Sequence, residues 1–195
     1  MNPLNNHRHS LILGIVLAIL LAAFLAGGVQ PFGLGWARWI HIVSGVFWIG
    51  LLYYFNAVQT PALADAAADK GGPGGAGITK YVAPKALFWF RWSALATWLA
   101  GFWLLWESGR IGAFALAPGQ VVIGIGAWLG TIMLLNVWGI IWPNQKKIIG
   151  VKPATDEEKA KARKTAGMAS RVNFVLSIPM LMCMGSASHG LPFIK

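Results

Sequence analysis

The sequence predicts an all-α fold, an integral membrane bundle of five transmembrane helices. Composition is the first indication, because 56% of the 195 residues are hydrophobic and only 11% are charged, whereas soluble domains carry about 25% charged residues. The second is that the apolar residues gather in segments of about 20, the length that spans a bilayer. We therefore expect a single integral membrane domain over residues 1–195.

Five apolar segments have the length of a membrane span. They are residues 11–29, 36–58, 86–106, 119–142 and 171–190. The first follows a short His-Arg-His run and is similar to a signal peptide, but its apolar run is long and no small-x-small cleavage site follows it. We interpret it as a retained helix.

Two loops between the spans differ in character. Residues 64–80 contain a Gly-Gly-Pro-Gly-Gly run that predicts a flexible linker, and the run lacks the Gly-Lys-Ser/Thr ending of a phosphate-binding loop. In the 143–170 loop, Thr155 to Glu158 forms a capping-box pattern. This pattern predicts a short charged helix through Lys164, with Gly167 as its stop.

The positive charge is distributed asymmetrically over a net charge of +10. Twelve of the sixteen Lys and Arg residues lie in the N-terminal tail and the loops on one side of the spans, whereas Arg38, Arg110 and Lys195 lie on the other. The positive-inside rule then predicts a bacterial inner-membrane protein with a cytoplasmic N-terminus and a periplasmic C-terminus. The basic loops are expected to face anionic lipid headgroups rather than nucleic acid.

Two histidines lie in spans of opposite direction and near the same outer face. His41 has Gly45 one helical turn deeper in the second span, and His189 has Gly185 one turn deeper in the fifth. Intramembrane ionisable residues point to function, and glycine lets a flat ring approach the backbone. Two imidazoles predict a six-coordinate haem b. The alternative is a pair of interfacial histidines hydrogen-bonded to backbone or water.

Arg38 and Trp48 share the helix face of His41. Arg38 would pair with haem propionates near the outer surface, and Trp48 would lie near the middle of the membrane, beside the ring or in the bundle core. If His41 were the only ligand, the open position on the iron would permit oxygen or peroxide chemistry.

A polar group is expected near the inner face of the bundle. It consists of Asn56, Arg91, Asn136 and Asn173, one on each of spans two to five. Amides hydrogen-bond across helices in membranes, and Arg91 is able to snorkel to the headgroups, so a structural role is one interpretation. The functional interpretation is a pocket for a small anion or a quinone, with Arg91 as its charge.

The last span also carries soft metal ligands, which makes copper a second and less favoured cofactor hypothesis. They are Met180, Met182, Cys183 and Met184, with His189 nearby. Met180 and Met184 share a face, whereas the other two point elsewhere, and methionine is also an ordinary gap-filler. Cys183 is the only cysteine, which excludes disulfides and covalently attached c-type haem within these residues.

Three runs of sequence carry a family resemblance. They are His41–Gly50 with Asn56 and Pro61, Trp142–Lys146, and Arg171–Met180 with His189. Together they resemble the membrane portion of bacterial urate hydroxylases of the urate oxidase N-terminal domain family, over most of residues 36–190. The His-x6-Trp-x-Gly core alone is also similar to the copper-resistance D and haem-biosynthetic membrane oxidase families.

The resemblance implies a membrane protein that couples oxidation of urate, or a related compound, to electron transfer through a C-terminal cytochrome c domain. Because the sequence ends at Lys195 without a Cys-x-x-Cys-His motif, we expect electrons to pass to a separate periplasmic cytochrome c or a larger complex. Two other functions stay open: a non-catalytic accessory subunit of a respiratory or photosynthetic complex, packed through Gly126-x-x-x-Gly130, and a copper-handling membrane protein.

Overall fold

The computed structural model describes residues 3–26, 33–187 and 189–191, and this part of the chain is all-α, without a β-strand. The all-α prediction is therefore confirmed. The helices are α1 (His7–Ala26), α2 (Leu34–Tyr54), α3 (Thr60–Ala68), α4 (Ala83–Glu107), α5 (Val121–Asn136), α6 (Trp142–Ile148) and α7 (Asp156–Ser186). The chain forms two compact units, residues 1–33 and residues 34–195.

The first unit contains α1, and none of its residues is buried. The helix begins at His7, four residues before the predicted start of the first span, and residues 27–29 of that predicted span lie outside the described part of the chain. Its 20 residues have a mean hydropathy of 2.6. An apolar helix of this length and exposure is suited to a lipid environment.

Within the described residues, four helical stretches are long and apolar enough to span a membrane. They are His7–Ala26, Leu34–Ala68, Val121–Ile148 and Asp156–Ser186. The third predicted span, 86–106, is confirmed as a helix because α4 covers it. At 25 residues α4 is long enough to cross, but its composition, rich in tryptophan and including Arg91, is less apolar than that of the other four.

The second unit is built from two antiparallel helix pairs. Helix α2 packs mainly on α4, and α5 packs mainly on α7. Their buried contact surface forms one apolar core in which the largest fully buried side chains include Trp48, Leu52, Phe90, Met133 and Val137. The two pairs thereby place faces of all four helices around a common interior.

Three π-helical segments in the described chain each precede a proline. They are Phe55–Gln59, Ile78–Val82 and Val137–Ile141, and the prolines that follow are Pro61, Pro84 and Pro143. A proline inside a helix lacks the N–H donor, and its ring meets the carbonyl four residues earlier. The wider π turn accommodates it. The chain therefore continues helically from α2 into α3 and from α5 into α6.

Helix α7 differs from its prediction. The capping box is confirmed, since the Thr155 hydroxyl accepts from the Glu158 N–H and the Glu158 carboxylate accepts from the Thr155 N–H. The predicted stop at Gly167 is wrong, because the helix continues to Ser186. Glycine in a helix costs only about 1 kcal/mol, which packing on α5 and α6 overcomes. The charged helix and the fifth span are one element, and the helix ends four residues before residue 190.

The predicted flexible linker over 64–80 is shorter in the structure. Helix α3 extends to Ala68, and helical structure resumes at Ala76. The non-helical part is residues 69–75, in which Gly74 has a φ of 66° that favours glycine. The alanines that precede Asp69 favour helix, so the linker is confined to the Gly-Pro run itself.

Candidate functional site: a cavity between the four helices

A cavity of about 410 Å³ lies between the helices of the second unit. Its walls come from α2, α4, α5 and α7, and its lining is almost entirely apolar. Ligand pockets in proteins span roughly 300–1,000 Å³ and are mostly apolar with a few polar groups. This cavity has the size and character of a site for a small hydrophobic molecule.

Among the described residues that line the cavity, His41 is the only one with an ionisable side chain. Its Nδ1 lies 2.8 Å from the carbonyl oxygen of Thr97 on α4. A carbonyl oxygen only accepts hydrogen bonds, so Nδ1 carries the proton and donates it. In the neutral imidazole Nε2 then has a free lone pair, and it has no hydrogen-bond partner among the described residues.

This arrangement is the one that metal-binding histidines adopt. Such a histidine donates its second N–H to a carbonyl or carboxylate, which fixes the tautomer and the orientation of the ring. The Thr97 carbonyl supplies that support here. His41 is therefore prepared to offer Nε2 to an iron or to another electrophilic centre at the cavity wall.

A glycine that the sequence analysis did not single out makes this contact possible. A Cβ added to Gly101 would lie 2.8 Å from Cε1 and 2.9 Å from Nδ1 of His41. Any side chain at position 101 would therefore displace the imidazole. No local pattern in the sequence reveals this, because His41 and Gly101 meet only when α2 packs on α4.

The predicted neighbours of His41 on α2 also reach the cavity. Gly45 and Trp48 both line it, and a Cβ at Gly45 would make an ordinary 3.6 Å contact with Thr97. Trp48 is 2% exposed, and its Nε1 has no hydrogen-bond partner in the described part of the chain. A buried indole N–H without an acceptor is costly, so Trp48 offers a donor that a bound molecule is able to use.

The cavity opens on the outer surface of the bundle. Ile42 and Val46 of α2 and Leu181 of α7 line it and are also exposed apolar residues. In a bilayer, exposed apolar residues at this depth face the acyl chains. The opening is therefore suited to a ligand that arrives from the lipid.

His189, Gly185 and Arg38 lie outside this lining. His189 is exposed, three residues beyond the end of α7, and its N–H donates to the Ser186 carbonyl. A Cβ at Gly185 would meet nothing within 4 Å, so this glycine does not mirror Gly45. Arg38 is exposed on α2, one turn outward from His41. The structure thus places Gly45 and Trp48 with His41, and not the other three predicted residues.

The soft side chains of α7 divide as predicted. Met180 and Met184 line the cavity, whereas Met182 and Cys183 do not. Met180 is buried, Met184 is half-buried and Met182 is exposed. The cavity therefore holds two thioethers together with the His41 imidazole.

All three predicted inner amides form hydrogen bonds across helices, and two of them, Asn136 and Asn173, bond to each other. Asn136 Nδ2 donates to Asn173 Oδ1 at 2.8 Å and to the Ala169 carbonyl at 2.9 Å. Asn173 Nδ2 donates to the Met133 carbonyl at 3.0 Å. Asn56 donates to the Ser170 hydroxyl at 3.0 Å. These bonds tie α7 to α5 and to the end of α2, as the structural interpretation expects.

Arg91 contacts aromatic rings instead of these amides. Its guanidinium carbon lies 3.9 Å from the ring centre of Trp142 and 5.4 Å from that of Phe88. Nη1 also donates to the Leu87 carbonyl at 3.2 Å. The structure thus joins Asn136 to Asn173, bonds Asn56 separately to Ser170 of α7, and places Arg91 in a cation–π contact.

The two glycines of the Gly126-x-x-x-Gly130 pattern lie on the side of α5 that faces the interior of the helix bundle. Both glycines are buried, a Cβ at Gly126 would lie 3.0 Å from Cβ of Cys183 on α7, and Gly130 lines the cavity. The pattern permits close helix contact within this chain, so it gives no support to packing against a second subunit.

Part of the chain is similar to one known family. Residues 110–195 match the family described as urate oxidase N-terminal. The suspected resemblance is confirmed over this region, which contains α5, α6 and α7. The His41 run lies outside the matched residues. Searches of curated proteins and of solved structures gave no significant match.

Proposed function

We propose that this protein binds haem b in the cavity, with His41 as an axial ligand, and transfers electrons in the bacterial inner membrane. The observation that carries the proposal is the hydrogen bond from His41 Nδ1 to the Thr97 carbonyl. It leaves Nε2 unprotonated on a side chain that lines an apolar cavity. The match of residues 110–195 to the urate oxidase N-terminal family supports an oxidative context.

The other residues of the cavity fit a flat hydrophobic group. Gly45, Gly50, Gly101 and Gly130 all line it and keep its walls free of side chains. At Gly50 and Gly130 a Cβ would meet nothing within 4 Å, so there is open space beside the backbone. Arg38 is exposed one turn outward from His41, where its guanidinium would be able to pair with the propionates of the haem. The opening towards lipid admits an apolar ring system.

The residues of the chain hold, orient and shield such a group. His41 would bind the iron through Nε2, the Thr97 carbonyl would keep the imidazole from rotating, and the buried Trp48 would form part of the apolar wall. A bound haem b would carry one electron at a time. The apolar walls of the cavity have a low dielectric constant, which raises the free energy of a net charge on the haem. They would therefore shift its reduction potential.

Pairing of His41 with His189 across the iron stays a prediction. Two hydrogen bonds join α2 and its extension to α7, Tyr53 with Ser177 and Asn56 with Ser170. Counted outward from these contacts at equal rise per residue, the level of His41 corresponds to the outer end of α7, from residue 185 onward. The chain near His189 is thus at a comparable depth, although the side chain is exposed.

The electron partner is proposed from chemistry. The 195 residues contain one cysteine, so a c-type haem linked through two cysteines would have to lie on other residues or another chain. A periplasmic cytochrome c or a larger membrane complex would accept the electron at the outer face. Urate or a related compound is the electron donor that the family name suggests.

The test is the absorption spectrum of the purified chain, oxidised and dithionite-reduced, after haem-replete expression. We expect a Soret band in the wild type and its loss in His41→Ala. His9→Ala, which removes an exposed histidine of α1, is the matched control and should leave the band unchanged. A wild type without a Soret band, or an unchanged spectrum in His41→Ala, would refute the haem proposal and favour the accessory-subunit function.

A further inference from the structure

Two methionines share the cavity with His41. Met180 and Met184 lie one helical turn apart on α7, and both line the cavity. Met182, between them in sequence, is 42% exposed on another face of the helix. A thioether is an uncharged soft ligand that costs little to bury. The cavity therefore contains a second donor type that is able to bind iron.

The two methionines lie at different levels along the axis of α7. The Tyr53–Ser177 and Asn56–Ser170 contacts put the level of His41 at the outer end of α7, from residue 185 onward. Met184 is one residue from that range, or about 1.5 Å along the axis. Met180 is a full turn deeper and is part of the buried core with Trp48. Met184 is half-buried, and its Cε lies 3.4 Å from the position of a Cβ at Gly126 on α5.

His189 competes less well for the same position. It follows the end of α7 at Ser186, is exposed, and is absent from the cavity lining. Its backbone N–H is held by the Ser186 carbonyl in a turn. To reach the cavity, the residues after α7 would have to fold inward over its outer end, whereas Met184 is already at the wall.

From these observations we infer that His41 and Met184 are the two axial ligands of haem b in this cavity. The inference rests on the proposed function and replaces the His189 ligand with a thioether. Ligation by one histidine and one methionine raises the reduction potential relative to two histidines. The bound group would then accept electrons readily from a donor in the membrane.

The experiment adds haemin to the purified full chain in detergent and compares leucine variants of similar volume. We expect low-spin haem in the wild type, with the near-infrared magnetic circular dichroism of a methionine ligand. Met184→Leu should become high-spin, whereas the matched control Met182→Leu and the variant His189→Ala should remain low-spin. Met184→His should restore the low-spin form with a more negative midpoint potential.

The outcomes separate this inference from the proposed function. Haem that stays low-spin in Met184→Leu but becomes high-spin in His189→Ala would overturn the inference in favour of two histidines. High-spin haem in Met180→Leu alone would assign the ligand to the deeper methionine and also overturn it. In both cases the haem proposal survives. Failure of the wild type to bind haemin would refute the proposed function itself.

Discussion

Nδ1 of His41 lies 2.8 Å from the carbonyl oxygen of Thr97, so a residue of α2 is oriented by the backbone of α4. The contact depends on Gly101, one turn further along α4, whose missing side chain leaves room for the imidazole. Because the backbone carbonyl of Thr97 orients the His41 imidazole, a change of the Thr97 side chain should leave that orientation intact. A change in the distance between α2 and α4 should alter it.

The first prediction concerns Gly101→Ala. The new Cβ would lie 2.8 Å from Cε1 and 2.9 Å from Nδ1 of His41, so the ring has to shift away from the Thr97 carbonyl. We expect haem affinity to fall at least tenfold, as measured by haemin titration, while membrane insertion is retained.

Gly167→Ala is the control for that change. A Cβ at Gly167 meets nothing within 4 Å, and alanine favours helix by about 1 kcal/mol at either position. Haem affinity should be unchanged in this variant. Equal affinity in Gly101→Ala and the wild type would show that the imidazole is not held in place by Thr97.

The second prediction compares two glycines of α5. A Cβ at Gly126 would lie 3.0 Å from Cβ of Cys183 and 3.4 Å from Cε of Met184, whereas a Cβ at Gly130 would meet nothing within 4 Å. We expect Gly126→Ala to lower the free energy of unfolding by about 1–3 kcal/mol through overpacking. Gly130→Ala should be neutral or stabilising. Unfolding in mixed micelles measures both, and equal effects would contradict the close α5–α7 packing.

The third prediction concerns the buried amide of Asn173. It is fully buried, donates to the Met133 carbonyl and accepts from Asn136. Asn173→Ala should reduce the free energy of unfolding by about 1–3 kcal/mol because two partners lose a bond. Asn144→Ala, whose amide reaches only the Ile140 carbonyl of its own helical segment, should cost much less. Similar losses in the two variants would argue against a bond that joins helices.

Sequence periodicity predicted much of this architecture because burial and helix face follow from local spacing. The long apolar helices follow from local composition, and the shared face of Met180 and Met184 and the capping box at Thr155 depend on residues within two turns of each other. Such features are encoded in a single helix and need no knowledge of its neighbours.

The features that sequence reasoning missed depend on packing between helices. Gly167 looks like a helix stop because the packing of α7 on α5 and α6, which continues the helix past it, is invisible in the sequence. Gly101 becomes important only when His41 lies against it. Arg91 was grouped with the amides by depth, but rotation about α4 turns it to Trp142. Depth is readable from sequence, whereas the angular position depends on the bundle.

The fourth prediction concerns orientation and follows from the unequal distribution of Lys and Arg. In a Cys183→Ala background, a cysteine at the exposed position Ala160 should react only with membrane-permeant reagents in whole cells. Ser108 is exposed and directly follows the C-terminal end of α4, which is predicted to lie on the other side of the membrane. A cysteine at this position should react with impermeant reagents as well. Labelling of Ala160→Cys by the impermeant reagent would reverse the orientation. Lys195, assigned to the periplasm, lies outside the described residues.

The fifth prediction concerns the contact between Arg91 and Trp142, where the guanidinium carbon lies 3.9 Å from the ring centre. A cation over tryptophan contributes about 0.5–2 kcal/mol, depending on desolvation. Arg91→Gln and Trp142→Leu should therefore each destabilise the bundle, and the double variant should lose less than their sum. Arg91→Lys should retain part of the coupling, since lysine keeps the charge but loses the planar stacking surface.

Trp89 supplies the control for this coupling. Like Arg91, it lies in the N-terminal part of α4, but its ring stacks on Phe47, with ring centres 5.7 Å apart. Combined with Arg91→Gln, the substitution Trp89→Leu should be additive within about 0.5 kcal/mol. Equal coupling to both tryptophans would indicate a general loosening of α4 instead of a specific contact. Full stability in Arg91→Gln, together with lost anion or quinone binding, would instead assign Arg91 to a ligand pocket.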